Sequence, residues 1–147
     1  MHAKDLTITL DVDQSAHEVF DAVGSISKWW TENTKGGSRS LNDEFTVQFE
    51  DIHFSKQKLI EVIPDKKIVW LVTDSRLTFL QNQQEWNNTT IVFDISTQGN
   101  KTRLQFTHIG LVPGVECYKD CSNGWNYYIS SLSNLITSGK GQPEKIK

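Results

Sequence analysis

The feature that most constrains the fold of this chain is a change of hydrophobic period after His108. Before that residue, apolar and polar side chains alternate, as in 5–12 and 89–97, and this spacing of two is typical of strands with one buried face. After it, apolar side chains recur at steps of three and four, which places them on one face of a helix. The sequence therefore predicts a series of strands followed by one long helix over about 115–138, with this apolar face: Tyr118, Cys121, Trp125, Tyr128, Leu132 and Leu135.

Short helices are predicted between the first strand and the rest. Ser15 precedes an apolar run and Glu18 follows three residues later, the pattern of a capping box, and Gly24 ends the helix that begins there. A second turn is predicted around 27–30. Residues 31–42 are polar and contain Gly36, which predicts a loop.

Runs of strands separated by short turns favour an antiparallel sheet and the α+β class. Strands are predicted over 44–50, 53–63, 68–74 and 89–97, and in a further strand Leu104 and Phe106 share a face with His108. We expect about six to seven strands curved around the C-terminal helix, with the two short helices after strand 1. The 147 residues predict one domain over 1–140 and a flexible tail over 141–147.

Glycines mark the last helix. Gly139 is a suitable stop for it. Gly124 lies inside the helix at a cost of about 1 kcal/mol relative to Ala. A close approach of another backbone to Gly124 would explain that cost.

Charge and cysteine usage exclude some classes of protein. The chain has 15 basic and 18 acidic side chains, so it lacks the basic excess of a general nucleic-acid binder. No run of 18 apolar residues or signal peptide is present, so no membrane span is expected. Cys117 and Cys121 are then expected to be reduced thiols in a cytoplasmic protein.

Four stretches resemble one family. They are Ala-His-Glu-Val-Phe-Asp-Ala at 16–22, Lys-Trp-Trp at 28–30, Thr-His-Ile-Gly-Leu at 107–111, and the Gly-Trp pair at 124–125. Ile109 departs from the usual Ser. Together they are similar to the START-like helix-grip (SRPBCC) superfamily, and within it to the bacterial homologues of the C-terminal domain of the heat-shock-protein-90 ATPase activator.

The resemblance implies a helix-grip fold with a cavity between the sheet and the last helix. Members of the superfamily include co-chaperones, carriers of lipids or polyketides, and cyclases. A fold with so many functions leaves function to be argued from the site. A chaperone partner for this chain is a further expectation, with weaker support.

Aromatic side chains are the main candidates for lining such a cavity, because pockets for small molecules are mostly apolar with few polar groups. The alternative is that these rings simply fill the core. We predict a hydrophobic ligand, lipid-like or aromatic, and these binding residues: Trp29, Trp30, Trp70, Phe106, His108, Cys121, Trp125 and Tyr128.

His108 is the polar candidate within that set. Its register with Phe106 points it inward, where a neutral imidazole could anchor a ligand or act as an acid or base. The alternative is a buried histidine bonded to a nearby backbone carbonyl. His53 is expected at the surface, and His17 on a solvated helix.

An enzyme in the same cavity is the second hypothesis. A cyclase- or hydrolase-like reaction would pair His108 with an acidic partner, Asp74 or Glu85. Cys117 and Cys121 could share a metal, but two further ligands at a familiar spacing are missing. With no catalytic motif, metal site or cofactor site recognised, the sequence favours a binding module over an enzyme.

Overall fold

A computed structural model describes residues 5–144 of the chain. A seven-stranded antiparallel sheet, in the order β1-β7-β6-β5-β4-β3-β2, curves around a C-terminal helix without closing. The predicted α+β architecture is thus confirmed. The elements along the chain are β1 (Leu6–Val12), α1 (Ala16–Gly24), α2 (Ile26–Trp29), β2 (Thr34–Gly36), β3 (Glu44–Phe49), β4 (His53–Ile63), β5 (Lys67–Leu77), β6 (Thr90–Gln98), β7 (Lys101–Ile109) and α3 (Tyr118–Ser138).

The helices begin and end for the local reasons the sequence suggests. Ser15 caps α1, since its hydroxyl accepts from the backbone N–H of Glu18 at 3.1 Å and the Glu18 carboxylate accepts from the N–H of Ser15. Gly139 caps α3 in the left-handed conformation, with φ at 83°. Helix α3 begins at Tyr118, a few residues later than predicted, because turns occupy the residues before it.

The apolar stripe of α3 packs on the concave face of the sheet. A continuous core joins the helix to α1, α2 and the inward side chains of the strands. Tyr118, Tyr128 and Leu135 lie at the edge of this core and are only partly buried. The fully packed positions on α3 are Cys121, Trp125, Ile129, Leu132 and Ile136.

Two register shifts bend the long hairpin formed by β4 and β5. Leu59 pairs with Trp70 but Glu61 pairs with Val69, so Ile60 is an extra residue and is exposed. The sequence pattern predicts that the side chains of this strand alternate strictly between the two faces of the sheet. The bulge breaks that alternation, because a one-residue insertion moves the following side chains to the other face.

The second shift lies in β5, between the pairs Lys56–Asp74 and Gln57–Val72. Thr73 is the extra residue, so Val72 and Ser75 both face the interior although they are three positions apart. Strand β5 continues to Leu77 rather than ending at 74. A short strand, β2, also forms within the predicted loop 31–42 by pairing with β3. Pairing partners that are distant in sequence explain both differences.

Cys117 and Cys121 form a disulfide bond, with their Cα atoms 5.4 Å apart. The prediction of two reduced thiols is therefore wrong. Placement at the start of α3 brings side chains at i and i+4 onto one face, within the distance range of a disulfide. The reduced thiols therefore no longer support a cytoplasmic location, which stays a prediction.

Residues 141–144, at the start of the predicted flexible tail, make defined contacts. The backbone N–H of Glu144 donates to the carbonyl of Trp30, and the carbonyl of Glu144 accepts from the N–H of Glu32. These two bonds flank Thr31. The backbone N–H of Gln142 donates to Ser131 Oγ at 2.6 Å. Residues 145–147 of that tail lie outside the described part of the chain.

No helix between residues 5 and 144 is long and apolar enough to cross a membrane.

Candidate functional site

An apolar cavity of about 190 Å³ opens to solvent at one end of the curved sheet, beside the first turns of α3. Its walls come from α3, from the hairpin that joins β3 to β4, and from the irregular segment 78–89, which we call the 78–89 loop. The lining residues are Trp30, Phe49, Ile52, His53, Leu77, Phe79, Trp86, Asp120, Cys121, Gly124, Trp125 and Tyr128.

Stacked aromatic rings form the inner wall of the cavity. Trp125 lies between Trp30 and Trp86, with ring centroids 5.0 Å and 5.8 Å away, and its ring is within 8° of parallel to that of Trp86. Phe49 packs against Tyr128 at 5.6 Å across the opening. Contacts at these distances are favourable aromatic pairs, so the wall is rigid and apolar.

The helix period explains the contribution of α3. Positions 121, 124, 125 and 128 are spaced by three and four, so they share the face that meets the opening. Within residues 5–144, no heavy atom of another segment lies within 4 Å of a Cβ placed on Gly124. The expected close backbone approach is therefore wrong, and Gly124 instead leaves open space at the cavity wall.

Two carboxylates hold the 78–89 loop against the chain before α3. Glu85 accepts hydrogen bonds from the backbone N–H groups of Glu116 and Cys117, at 2.9 and 2.8 Å. The Glu116 carboxylate in turn accepts from the N–H groups of Gln81 and Asn82. These reciprocal bonds fix the loop so that Trp86 closes one side of the cavity.

His108 is buried in the core and does not line the cavity. Its Nδ1 accepts from the indole N–H of Trp125 at 3.0 Å, so the proton of the neutral ring lies on Nε2, which donates to Thr89 Oγ1 at 2.9 Å. The Thr89 hydroxyl donates to the carbonyl of Trp86. Burial, with a smaller effect of His53, lowers the pKa of His108 to about 3.

His53 lines the cavity, although the sequence places it at the surface. Its ring meets that of Trp86 edge to face at 4.8 Å, and its Nε2 lies 2.9 Å from Ser55 Oγ. Burial lowers the pKa of His53 to about 3, so the ring is neutral at physiological pH.

Tyr128 brings a hydroxyl to the half-buried edge of the cavity. Burial, followed by the charge of Glu144 and the neighbouring Tyr127, raises the pKa of Tyr128 to about 12. The phenol is therefore neutral as well, and of the lining residues within 5–144 only Asp120, at the exposed mouth, is charged.

The structure divides the residues predicted to bind a ligand into two groups. Trp30, Cys121, Trp125 and Tyr128 line the cavity. Trp29, Trp70, Phe106 and His108 are outside its lining and fill the core, each less than 2 % exposed.

The lining residues that the sequence analysis missed come from the hairpin and the loop. Phe49 and His53 flank the turn between β3 and β4. Leu77 lies at the end of β5 and pairs with His53 at the start of β4. Strand parity could have found His53, because it shares the face of Leu59, an obvious core residue. Trp86 follows no periodic pattern, and only its stacking on Trp125 shows its place.

Among residues 5–144, no carboxylate lies within hydrogen-bond distance of His53 or His108, whose ring nitrogens contact Ser55, Thr89 and Trp125. Glu85 is engaged by backbone N–H groups, and Asp74 accepts from the N–H of Ser75. Asp74 lines a different depression, an open polar one of about 610 Å³ that also includes Arg76 and Gln81. Within the same residues, no group of three or more His, Cys, Asp and Glu could hold a metal ion.

Residues 14–137 match the family model described as "Activator of Hsp90 ATPase homolog 1-like protein". No curated protein sequence matches the chain. Among solved structures, the Aha1 dimer from Colwellia psychrerythraea is similar with a TM-score of 0.76 and 22% identity, over 93% of this chain and 98% of that one.

Two further solved structures share the fold. DynU16, a protein of the dynemicin biosynthetic locus, has a TM-score of 0.69 and 15% identity, over 95% of this chain and 49% of that chain. CalU16 from Micromonospora echinospora has a TM-score of 0.68 and 16% identity, over 93% of this chain and 78% of that one. At these identities the likeness concerns the fold alone.

Proposed function

The chain belongs to the Activator of Hsp90 ATPase homolog 1-like family, and from that premise we propose that it binds a small, mainly apolar molecule in the cavity beside α3. The observation that carries the proposal is the apolar cavity wall formed by the packed rings of Trp30, Trp125 and Trp86, of which the last two are stacked. A concave apolar site with a few polar groups is the usual form of a pocket for a small molecule.

The size of the cavity supports a ligand of one substituted ring or a short branched chain. An apolar cavity of roughly 150 Å³ is enough to hold benzene, and this one is about 190 Å³. A flat ring could stack on the indoles. Its apolar surface would contribute about 25 cal/mol to the binding free energy for each Å² removed from water. A larger ligand would extend through the mouth, where Ile52 and Phe79 are exposed.

Binding is favoured over catalysis by the polar groups near the cavity. Both ring nitrogens of His108 are engaged within the protein, and His53 has a serine rather than a carboxylate as its neighbour. A general acid or base needs a pKa near the working pH, whereas burial holds the pKa values of His53 and His108 at about 3.

Interaction with another protein is a second candidate. Ile52, Phe79 and Tyr127 are 51%, 45% and 57% exposed, and the first two surround the mouth of the cavity. Exposed apolar groups that cluster often mark contact sites, and the family description names an ATPase activator. Charged substitutions at Ile52 and Phe79 would abolish such a contact and leave the inner wall intact.

The proposal is tested by native mass spectrometry of the purified protein. We expect a small molecule to travel with the wild-type chain and to be absent from Gly124→Leu, whose side chain occupies the cavity. Ser130→Leu is the matched control, because Ser130 lies on the exposed face of the same helix. An equal ligand load on both variants, or an empty wild-type protein that also binds no added apolar ring compound, would contradict the proposal.

A further inference from the structure

Cys117 and Cys121 place a disulfide bond at the wall of the cavity. Cys117 is the N-cap residue of α3, and Cys121 lies one turn further along the helix. Cys117 is fully buried, whereas Cys121 is 8% exposed and lines the cavity together with Gly124 and Trp125. A chemical change at this bond therefore acts directly on the wall of the cavity.

The first turn of α3 does not depend on the disulfide for its shape. The backbone N–H of Cys121 donates to the carbonyl of Cys117 at 2.7 Å, so a helix hydrogen bond closes the turn. The N–H groups of Glu116 and Cys117 also donate to Glu85, which ties this turn to the 78–89 loop. The disulfide joins residues only four positions apart, and cross-links that close short loops stabilise a fold least. We therefore expect the fold to survive reduction of the bond.

Reduction changes the space that the two sulfur atoms need. A disulfide holds them at a covalent distance, whereas unbonded atoms stay at van der Waals contact, so the sulfurs separate by roughly 1.5 Å when the bond breaks. Cys117 is enclosed by the densely packed core, which resists displacement. Cys121 borders the cavity and takes most of the movement, so the cavity of about 190 Å³ becomes smaller.

A small thiol reaches the pair through Cys121, because Cys117 is fully buried. The thiolate attacks the Cys121 sulfur, the bond to Cys117 breaks, and Cys117 leaves as a thiolate that takes up a proton. A second thiol attacks the small-molecule sulfur of the mixed disulfide and releases Cys121 as a thiol. The pair thus gains two electrons and two protons, and the two small thiols become a disulfide. The N-terminus of α3 favours the departing thiolate, and the Glu85 carboxylate acts in the opposite sense.

We propose that the Cys117–Cys121 pair is a redox switch on the cavity: the disulfide form binds the apolar ligand, and the dithiol form, produced by a small thiol, binds it more weakly. This inference rests on the proposed binding function and adds its regulation. Coupling between two equilibria is reciprocal. A bound ligand therefore favours the disulfide by the same factor by which reduction weakens the ligand.

Titration of the oxidised and the reduced full chain with ethylbenzene tests the proposal. Dissociation constants come from the shifts of the tryptophan indole N–H signals in ¹⁵N-correlated spectra, which also report whether the chain reduced by dithiothreitol stays folded. We expect reduction to weaken ethylbenzene at least fivefold. In glutathione buffers of fixed composition, saturating ethylbenzene should raise the ratio of disulfide to dithiol by the same factor, measured by alkylation of the free thiols and intact mass.

Cys117→Ala is the matched control for the crowding of the two sulfurs. It removes the buried sulfur, so the Cys121 thiol keeps its place, and the variant should bind ethylbenzene as the oxidised protein does, with or without dithiothreitol. Cys121→Ala removes the sulfur beside the cavity. It should bind ethylbenzene no more weakly than the oxidised protein and should also be insensitive to dithiothreitol.

Equal dissociation constants for the oxidised and the reduced wild-type protein would overturn the switch and leave the binding function intact. The same holds for an equal effect of dithiothreitol on Cys117→Ala, since the reductant would then act on another group. Loss of the folded spectrum on reduction would also overturn the switch, because the bond would be structural. If ethylbenzene binds to neither form, the proposed binding function fails, and the switch with it.

Discussion

At the scale of single residues, the polar groups of the interior serve two different purposes. One chain of hydrogen bonds runs from the Trp125 indole through His108 and Thr89 to the carbonyl of Trp86. It joins α3 to the 78–89 loop and is complete within the protein. His53, by contrast, lines the cavity and has its Nε2 2.9 Å from Ser55 Oγ.

Replacing His108 by Leu should lower the free energy of unfolding by about 1–3 kcal/mol, because the Trp125 N–H would be left buried without an acceptor. Urea denaturation measures the loss. His17→Leu is the control, since His17 is exposed and pairs only with Asp65 at the surface; a change within about 0.5 kcal/mol is expected there. A His108→Leu midpoint equal to that of the parent would show that the chain of hydrogen bonds contributes nothing.

The two interior histidines, His53 and His108, also predict a loss of stability in mild acid. The pKa of His53 and of His108 is about 3 in the folded protein, against about 6.5 unfolded. Below pH 6.5 the unfolded chain therefore binds more protons, so stability is fully present above pH 6.5 and falls as the pH falls towards 3. His17 acts in the opposite sense, because hydrogen bonding to Asp65 raises its pKa.

This dependence can be assigned to His108 by comparing variants. Urea unfolding between pH 7 and pH 5 should show a smaller loss per pH unit in His108→Leu than in the wild-type protein, with the effects of His17 and the carboxylates common to both. Parallel curves for the two proteins would mean that His108 titrates normally in the folded state.

At the scale of elements, α3 combines structural support with access to the cavity. Its buried face holds the core, while its first turns carry Cys121, Gly124 and Tyr128 at the opening. The 78–89 loop has no regular structure and depends on Glu85 and Glu116 for its position. The site is thus built between a rigid helix and a tethered loop.

Gly124→Ala should separate stability from binding. Alanine removes the cost of glycine in a helix, so the protein gains up to about 1 kcal/mol, and the added methyl meets no other segment. The same methyl narrows the cavity, so ethylbenzene should bind several-fold more weakly. Urea denaturation measures the stability, and the shifts of the tryptophan indole N–H signals in ¹⁵N-correlated spectra on addition of ethylbenzene measure the affinity. Ser130→Ala, on the exposed face, should leave affinity unchanged; a loss of stability in Gly124→Ala would indicate that the glycine is required for packing.

The disulfide between Cys117 and Cys121 is a second prediction for this helix. The intact mass of the protein purified without reductant should rise by two hydrogen atoms after reduction, and the denatured, unreduced chain should give no reaction with a thiol reagent. Cys117→Ser serves as the control with one unpaired thiol. Two reactive thiols in the untreated wild-type chain would contradict the disulfide and show that both cysteines are reduced, as the sequence predicts.

At the scale of the whole molecule, the aromatic side chains decide how much of the interior stays empty. Trp29, Trp70, Phe93 and Phe106 pack on one another and on Trp30 and Trp125 across the concave face of the sheet. Protein interiors pack to the density of organic crystals. These rings therefore fill the space under the sheet, and the apolar cavity lies where α3, the hairpin between β3 and β4, and the 78–89 loop meet.

Leu132→Ala tests the core that joins the helix to the sheet. Leu132 is fully buried on α3, and its truncation should lower the free energy of unfolding by about 2–5 kcal/mol through lost burial and a new cavity. The exposed Ser130→Ala variant provides the baseline in the same urea experiment. A midpoint within error of the parent would show that this face of α3 is not the main seam of the core.

Apart from β2, the sequence alone determined the order and kind of the elements, because local patterns are enough for them. Alternation predicted the strands, the spacing of three and four predicted α3, and Ser15 with Glu18 predicted the start of α1. Four ordered motifs also indicated the family that the match to residues 14–137 shows.

Only the tertiary structure decided which of the inward side chains meet a ligand and which fill the core. The sequence predicts that Trp70 and Trp125 both line the cavity, yet the first is enclosed in the core and the second is part of the cavity wall. The bulge at Ile60 reverses the face of the strand that follows it, and Trp86 reaches the site from a loop with no period. Such outcomes depend on contacts between residues far apart in the chain, which no local pattern encodes.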